Sequence, residues 1–155
     1  MTPAVEALLS AGVDFATFTY DHGAADVGYG QEAAAALGLD VESVFKTLVA
    51  DTGDGLVVAV VPVAGRLDLK ALARAVGAKR VTMADPRSAE RTTGYVVGGI
   101  SPFGQRRVLP TALDDSALGQ RRIHVSGGRR DLEIGLDPAD LVSVLDAVVA
   151  SIATE

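Results

Sequence analysis

The chain has no cysteine and no tryptophan, and only two of its 155 residues are histidine. Without cysteine there is no disulfide, no thiol nucleophile and no thiolate metal site. Two histidines leave little from which to build a zinc centre or a relayed general base. Aromatic residues amount to 5%, and no apolar run approaches the length needed to span a bilayer. The start, Met1-Thr2-Pro3-Ala4-Val5-Glu6, lacks the basic residues of a secretory signal. A cytoplasmic protein with no membrane contact is therefore expected. Hydrophobic residues make up 48% of the chain, enough for a core of its own, and 155 residues fit one domain spanning 1–155.

Positive charge is missing from most of the chain. Residues 1–65 hold nine acids and a single cation, Lys46, and residues 131–155 hold six acids and no cation. The other thirteen cations lie between Arg66 and Arg130, where only five acids accompany them, so the segments carry net charges of −8, +8 and −6. Such a block is either a solvated face or a surface for an anionic partner, because phosphate contacts need only local positive charge. The pairs Arg106-Arg107 and Arg129-Arg130 are its candidate phosphate contacts. Lys46 is different in kind. It sits in Val44-Phe45-Lys46-Thr47-Leu48-Val49, which otherwise reads as a buried strand, and an ammonium there is costly unless it has a task or a partner.

Short helix and strand signals alternate along the chain, without repeats or linkers. Thr2 and Pro3 start a helix that Gly12 stops, and residues 15–20 read as a strand. Residues 31–37 form an alanine-rich helix ended by Gly38, and Asp40 caps a turn into the Lys46 strand. Asp51-Thr52-Gly53-Asp54-Gly55 is turn chemistry, joining that strand to the apolar run 56–61 as a hairpin. Asp68 caps a helix closed by Gly77, residues 81–83 are a short strand, and Asp85-Pro86 opens a further helix. Strands are expected at Val108-Leu109, 123–125 and 132–136. A last helix starts at Asp137-Pro138, with Leu141, Leu145 and Val149 at helical spacing. This order points to an α+β fold with a mixed sheet rather than a doubly wound parallel one.

Most catalytic signatures fail on inspection. Gly99 and Gly104 have the glycine spacing of a phosphate-binding Walker loop, but Gln105-Arg106 replaces its Lys-Ser/Thr. A triad of Ser126, His22 and an acid lacks the Gly-x-Ser-x-Gly elbow. Asp21, His22 and Asp26 form a weak metal set beside the reading as a surface turn, and His124 reads as a packed core residue; no metal and no cofactor are expected. The positive signals are few. Gly98-Gly99-Ile100-Ser101-Pro102 can aim backbone N–H groups at an anion or a polarised carbonyl, although a glycine pair alone is also an ordinary turn. Ser126 follows a strand directly, and Tyr20, Tyr29 and Tyr95 lie where the backbone bends, as element-end packing or as pocket walls.

Five blocks together carry a resemblance: Val44-Phe45-Lys46-Thr47-Leu48, Pro62-Val63-Ala64-Gly65-Arg66-Leu67-Asp68, Met83-Ala84-Asp85-Pro86, Thr93 through Pro102, and Val125-Ser126-Gly127-Gly128. In this order they resemble the YbaK family, free-standing relatives of the editing domain inserted in bacterial prolyl-tRNA synthetases. The similarity runs from Thr2 into the last helix. It implies a mixed, barrel-like α+β domain that deacylates mischarged tRNA(Pro), chiefly Cys-tRNA(Pro), with prolyl-tRNA synthetase as a second partner. Lys46 matches the family's essential lysine. Gly98, Gly99, Ile100, Ser101 and Pro102 match its substrate loop, and Tyr20, Thr47 and Ser126 match pocket positions. Tyr29 stands where phenylalanine is common, and Glu133 where aspartate is common. The resemblance further implies that the substrate's own thiol attacks its ester and leaves as a thiolactone. Two alternatives stay open: an Ala-tRNA(Pro) deacylase using water, and a non-catalytic module binding tRNA or a synthetase.

Overall fold

The computed structural model describes residues 1–21 and 29–155, with the backbone alone for Tyr29. Helix α1 (Pro3–Ala11) begins where Thr2 Oγ1 accepts the Val5 N–H, and it ends at Gly12 in the left-handed region. Strand β1 (Phe15–Thr19) follows, then α2 (Tyr29–Leu37). Asp40 caps the short 3-10 turn Val41–Ser43 that delivers the chain into β2 (Phe45–Asp51). The hairpin expected from the Asp-Thr-Gly-Asp-Gly turn is present: β3 (Leu56–Pro62) pairs antiparallel with β2, with Lys46 opposite Val61.

Beyond it come β4 (Arg66–Leu67), α3 (Leu69–Val76), β5 (Thr82–Met83) and α4 (Pro86–Thr93). The rest is β6 (Thr111–Asp114), β7 (Ile123–Ser126), β8 (Leu132–Leu136), α5 (Pro138–Leu145), β9 (Val148–Ala150) and β10 (Ala153–Thr154). A five-stranded mixed sheet has the order β5-β2-β3-β6-β9, with β3, β6 and β9 parallel. An antiparallel sheet β1-β8-β7 joins it through the bridge between Val44 and His124, and β10 pairs with β4. The α+β class with a mixed sheet is thus observed.

β3 explains why its sequence is an unbroken apolar run. Val58 and Val60 enter one core cluster with Leu8, Phe45, Phe103, Ile134 and Leu141, whereas Val57, Ala59 and Val61 enter a second with Leu72 and Ile152. A strand buried on both faces cannot alternate in polarity.

Two sequence expectations need correction. Val108-Leu109 is not a strand: Val108 is 96% exposed, and the strand comes after Pro110, at β6. Pro110 has no N–H to donate, but its carbonyl accepts from Val58, which starts the parallel pairing one residue before Thr111. The last helix stops at Leu145 because Asp146 takes the left-handed conformation (φ 50°). Val149 therefore lies in β9, not at the fourth turn of a helix. The short pairings β4 and β10 had no visible sequence signal.

Candidate functional site

Where β2, β7, β8, α4 and the loop after α4 meet, they enclose a cavity of about 500 Å³. Its walls bring together Tyr20, Lys46, Thr47, Gly98, Ile100, Ser126 and Glu133, residues spread across more than a hundred positions. The apolar lining comes from Phe45, Leu48, Val49, Val63, Met83, Ala84, Pro86, Ala89 and Val97. None of these had been singled out as a pocket residue, although all but Val49 and Ala89 belong to the quoted blocks. Gly30 and Gln31 of α2 complete one side.

Lys46 is half-buried, and its Nζ donates to the Gly65 carbonyl at 3.1 Å. Among the described residues no carboxylate pairs with it. Burial, and then the nearby Arg66 guanidinium, hold its pKa below the usual lysine value. The ammonium has three donors, so one carbonyl leaves it with hydrogen-bonding capacity to spare. Two other polar atoms of lining residues, Thr47 Oγ1 and Glu133 Oε2, are buried with no hydrogen-bond partner. Burial pushes the Glu133 carboxyl up to about 8, so near neutral pH it is largely the uncharged acid. Buried polar atoms are almost always paired in folded proteins, and orphans of this kind concentrate where a ligand supplies the missing bond.

Tyr20 follows β1. Its N–H donates to the Asp131 carbonyl at 3.1 Å, and its hydroxyl donates to the Arg130 carbonyl. Burial, with the Glu133 and Glu32 carboxylates adding to it, raises its pKa to about 12, so it stays a neutral donor. Ser126 closes β7, and its Oγ accepts the Gly128 N–H at 3.2 Å. Among the described residues no histidine lines the cavity, and His124 packs against Phe18 with Ser43 Oγ at 3.4 Å from its Nδ1.

The loop 98–102 only partly faces the cavity. Gly98 and Ile100 line it, while Gly99 packs on the β7–β8 turn: a Cβ there would lie 2.8 Å from Arg129 Cα and 3.0 Å from Arg130 N. Ser101 and Pro102 are buried behind the wall. Ser101 Oγ accepts the Phe103 N–H and its carbonyl accepts Gln105 Nε2, so this serine braces the loop and does not reach the cavity. Of the loop that the resemblance assigned to substrate, Gly99, Ser101 and Pro102 therefore do not line the cavity. Tyr95 is likewise structural, donating to the Phe103 carbonyl at 2.6 Å. The Tyr29 side chain, together with His22 and Asp26 of the weak triad and metal sets, lies outside the described residues. Among those described, no three histidine or acidic side chains group as metal ligands, and no helix is long and apolar enough to cross a membrane.

The basic block is divided. Arg106 and Arg107 are exposed, and Arg106 Nη1 donates to the Arg91 carbonyl at 3.4 Å. Arg129 pairs with Asp131 at 2.6 Å and Arg130 with the buried Glu32 at 3.1 Å. Arg121 and Arg122 share a separate cleft with Asp14, Asp137 and Asp140. Arg130 is thus committed to an internal contact that charge counting had not revealed.

Comparison with known proteins adds the following. The profile of the aminoacyl-tRNA editing domain matches residues 25–144. An Enterococcus faecalis protein, EbsC, named as a Cys-tRNA(Pro)/Cys-tRNA(Cys) deacylase, is 40% identical over 126 residues, covering 81% of this chain and 77% of its own. A crystal structure described as a trans-editing enzyme for prolyl-tRNA synthetase superposes with a TM-score of 0.86 at 28% identity, covering 100% of this chain and 99% of that one. A structure from work on grafting epitopes onto scaffold proteins gives a TM-score of 0.87 at 27% identity, with 99% and 96% covered.

Proposed function

The chain belongs to the aminoacyl-tRNA editing domain family, and from that premise we propose that it deacylates cysteinyl-tRNA(Pro). One observation carries this reading. The cavity offers an ammonium with spare donors and two unpaired buried polar atoms, yet the chain has no thiol and, among the described residues, no histidine lines the cavity to activate a nucleophile. Such a site positions and polarises a substrate that brings its own nucleophile, and a cysteinyl ester does so. The relative EbsC, named for this activity, supports the assignment.

In the proposed step the cysteine sulfur attacks the ester carbonyl carbon and the carbon–oxygen bond to the terminal ribose breaks. The thiol proton passes to the ribose oxygen. The products are tRNA with a free 3′-terminal hydroxyl and a cysteine thiolactone, which water opens to cysteine. Lys46 donates to the oxygen on which negative charge develops, an interaction stronger in the transition state than in the ground state. Thr47 and the neutral Glu133 orient the aminoacyl group, Gly98 admits the terminal nucleotide by its lack of a side chain, and Tyr20 holds the wall. Prolyl-tRNA synthetase is the proposed partner supplying tRNA identity, in the cytoplasm.

The deciding experiment is release from tRNA(Pro) charged with cysteine, alanine or proline, with product identification. Rapid loss of cysteine through a thiolactone, with alanine and proline retained, is expected. Alanine release at the same rate would transfer the chemistry to a bound water, and no release at all would leave a binding module.

A further inference from the structure

The exposed members of the cavity lining, Gln31, Met83, Pro86 and Val97, mark its mouth, whereas Tyr20, Phe45, Ile100 and Glu133 are buried. A distinct set of cations adjoins that mouth. Arg87 follows Pro86 directly. Arg91 lies one turn further along α4, on the same face as Arg87 and away from the buried Ala89 and Thr93. The chain then returns beside α4: Arg106 N–H donates to the Thr93 carbonyl at 2.9 Å and Arg107 N–H to that of Thr92 at 3.2 Å. Arg106 also covers Gly94, and its Nη1 reaches the Arg91 carbonyl. Four exposed guanidinium groups therefore sit on contiguous backbone at one lip of the cavity.

Their charge is uncompensated. The acids on this stretch are turned to the backbone, Asp85 accepting the Ser88 N–H and Glu90 the Val97 N–H. Among the described residues none of the four arginines forms an ion pair. Arg129 and Arg130 pair with Asp131 and Glu32. Arg121 and Arg122, which form no ion pair either, share the second cleft with Asp14, Asp137 and Asp140, whereas no acid lies free beside the four arginines on their own stretch. Exposed Val96 and Val97 lie between the two arginine pairs in sequence and Val108 directly after the second, apolar surface on which a ribose or base face can rest.

We infer that Arg87, Arg91, Arg106 and Arg107 form a phosphate-binding lip that conducts the single-stranded 3′ end of the substrate RNA into the cavity. The inference rests on the reading of the substrate as an aminoacyl-tRNA. An RNA strand whose terminal ester lies in the cavity must leave through the mouth, and the first surface it meets there is cationic. The contacts are alike in ground and transition states, so they act on binding and not on the chemical step.

The test compares Arg87→Ala/Arg91→Ala and Arg106→Ala/Arg107→Ala with the control Arg121→Ala/Arg122→Ala. Binding of a labelled single-stranded RNA ending in CCA is read by fluorescence anisotropy over a range of salt, beside deacylation kinetics. Each lip pair should raise Kd and KM several-fold and flatten the log–log salt slope by about 1.4–1.8, two phosphate contacts at roughly 0.7–0.9 each. The control should match wild type, and all three proteins should melt as wild type does because the altered side chains are exposed. Lip variants equal to wild type, or a control that loses as much, would overturn the lip. So would variants that bind RNA normally but lose a synthetase, since the surface would then be a protein-docking site. Wild-type protein that binds RNA through the lip yet deacylates nothing would remove the enzymatic reading and retain the lip; active protein with a KM indifferent to the lip would do the reverse.

Discussion

Arg130 and Glu32, 98 positions apart in sequence, form an ion pair in which Nη2 meets Oε2 at 3.1 Å, and the backbone carbonyl of the same arginine accepts the Tyr20 hydroxyl. One residue thus ties α2 and the Tyr20 wall to the β7–β8 turn. Gly99 rests on the backbone of that turn, so the loop 98–102 is seated on it as well. Arg130→Ala should therefore behave as a positioning mutation. It strands a buried carboxylate, at a cost of about 1–3 kcal/mol given that the arginine side chain is itself 31% exposed. Thermal unfolding should show the loss, kcat should fall along with it, and the salt slope should stay at the wild-type value. Arg130→Lys should recover part of both. A flattened slope with unchanged stability would instead make Arg130 a phosphate contact.

Lys46→Ala should abolish turnover without unfolding the protein. Removing one preorganised donor from a developing oxyanion lowers kcat by about 10²–10³-fold in comparable sites. The half-buried ammonium has no carboxylate partner among the described residues, so its loss should leave stability unchanged or slightly higher. Circular dichroism and the thermal midpoint report the fold, and single-turnover deacylation reports the chemistry. A folded variant with near-wild-type turnover would exclude the assigned role.

Glu133 gives a pH signature. Its folded pKa, pushed by burial to about 8, exceeds the ordinary carboxylate value of 4.5, so the folded state holds a proton that the unfolded chain has lost between these limits. Stability from this group is complete below about 4.5 and declines as pH rises to about 8. Glu133→Gln cannot ionise. Its thermal midpoint relative to wild type should rise steadily between pH 5 and pH 8 and level off above, an order-of-magnitude change of about a few kcal/mol at most. A difference that does not vary with pH would mean that Glu133 ionises normally.

Gly99→Ala probes the seat of the loop. The added methyl would lie 2.8 Å from Arg129 Cα, against backbone that has no free rotamer with which to yield. A cost of about 1–3 kcal/mol is expected, as for other overpacked sites, together with a higher KM as the loop lifts from the turn. Gly119→Ala, where nothing lies within 4 Å, is the matched control.

Local chemistry made much of this molecule readable. Thr2, Asp68, Asp85 and Asp137 each announced a helix start, and each caps one. The β2–β3 hairpin followed from its turn, and Lys46 was conspicuous because a lone cation in an apolar strand is rare. What stayed hidden is non-local. β6 and β9 are parallel strands whose partners lie far away, and the turn ending α5 uses an aspartate where a glycine would have been expected. Ser101 was placed in a substrate loop by the resemblance and Arg130 among phosphate contacts by the charge pattern, but each is engaged within the protein, by a loop brace and a buried carboxylate respectively. Chemical character is written in the sequence; the direction a side chain takes is set by packing.

The segment 152–154 sits behind Lys46. Asp68 N–H donates to the Ile152 carbonyl at 2.7 Å, Asp114 Oδ1 accepts from Ile152 and Ala153, and β10 lies along β4, its Thr154 carbonyl 2.9 Å from where a Gly65 Cβ would be. The Gly65 carbonyl is the one that anchors the Lys46 ammonium. During synthesis the lysine leaves the ribosome more than a hundred residues before its backing does. Until residues 152–154 are in place, Asp114 Oδ1 lacks the two amides that it accepts and the Gly65 turn lacks β10 beside it. Completion of the frame behind the lysine is thus a long-range event, set by residues far from it in sequence.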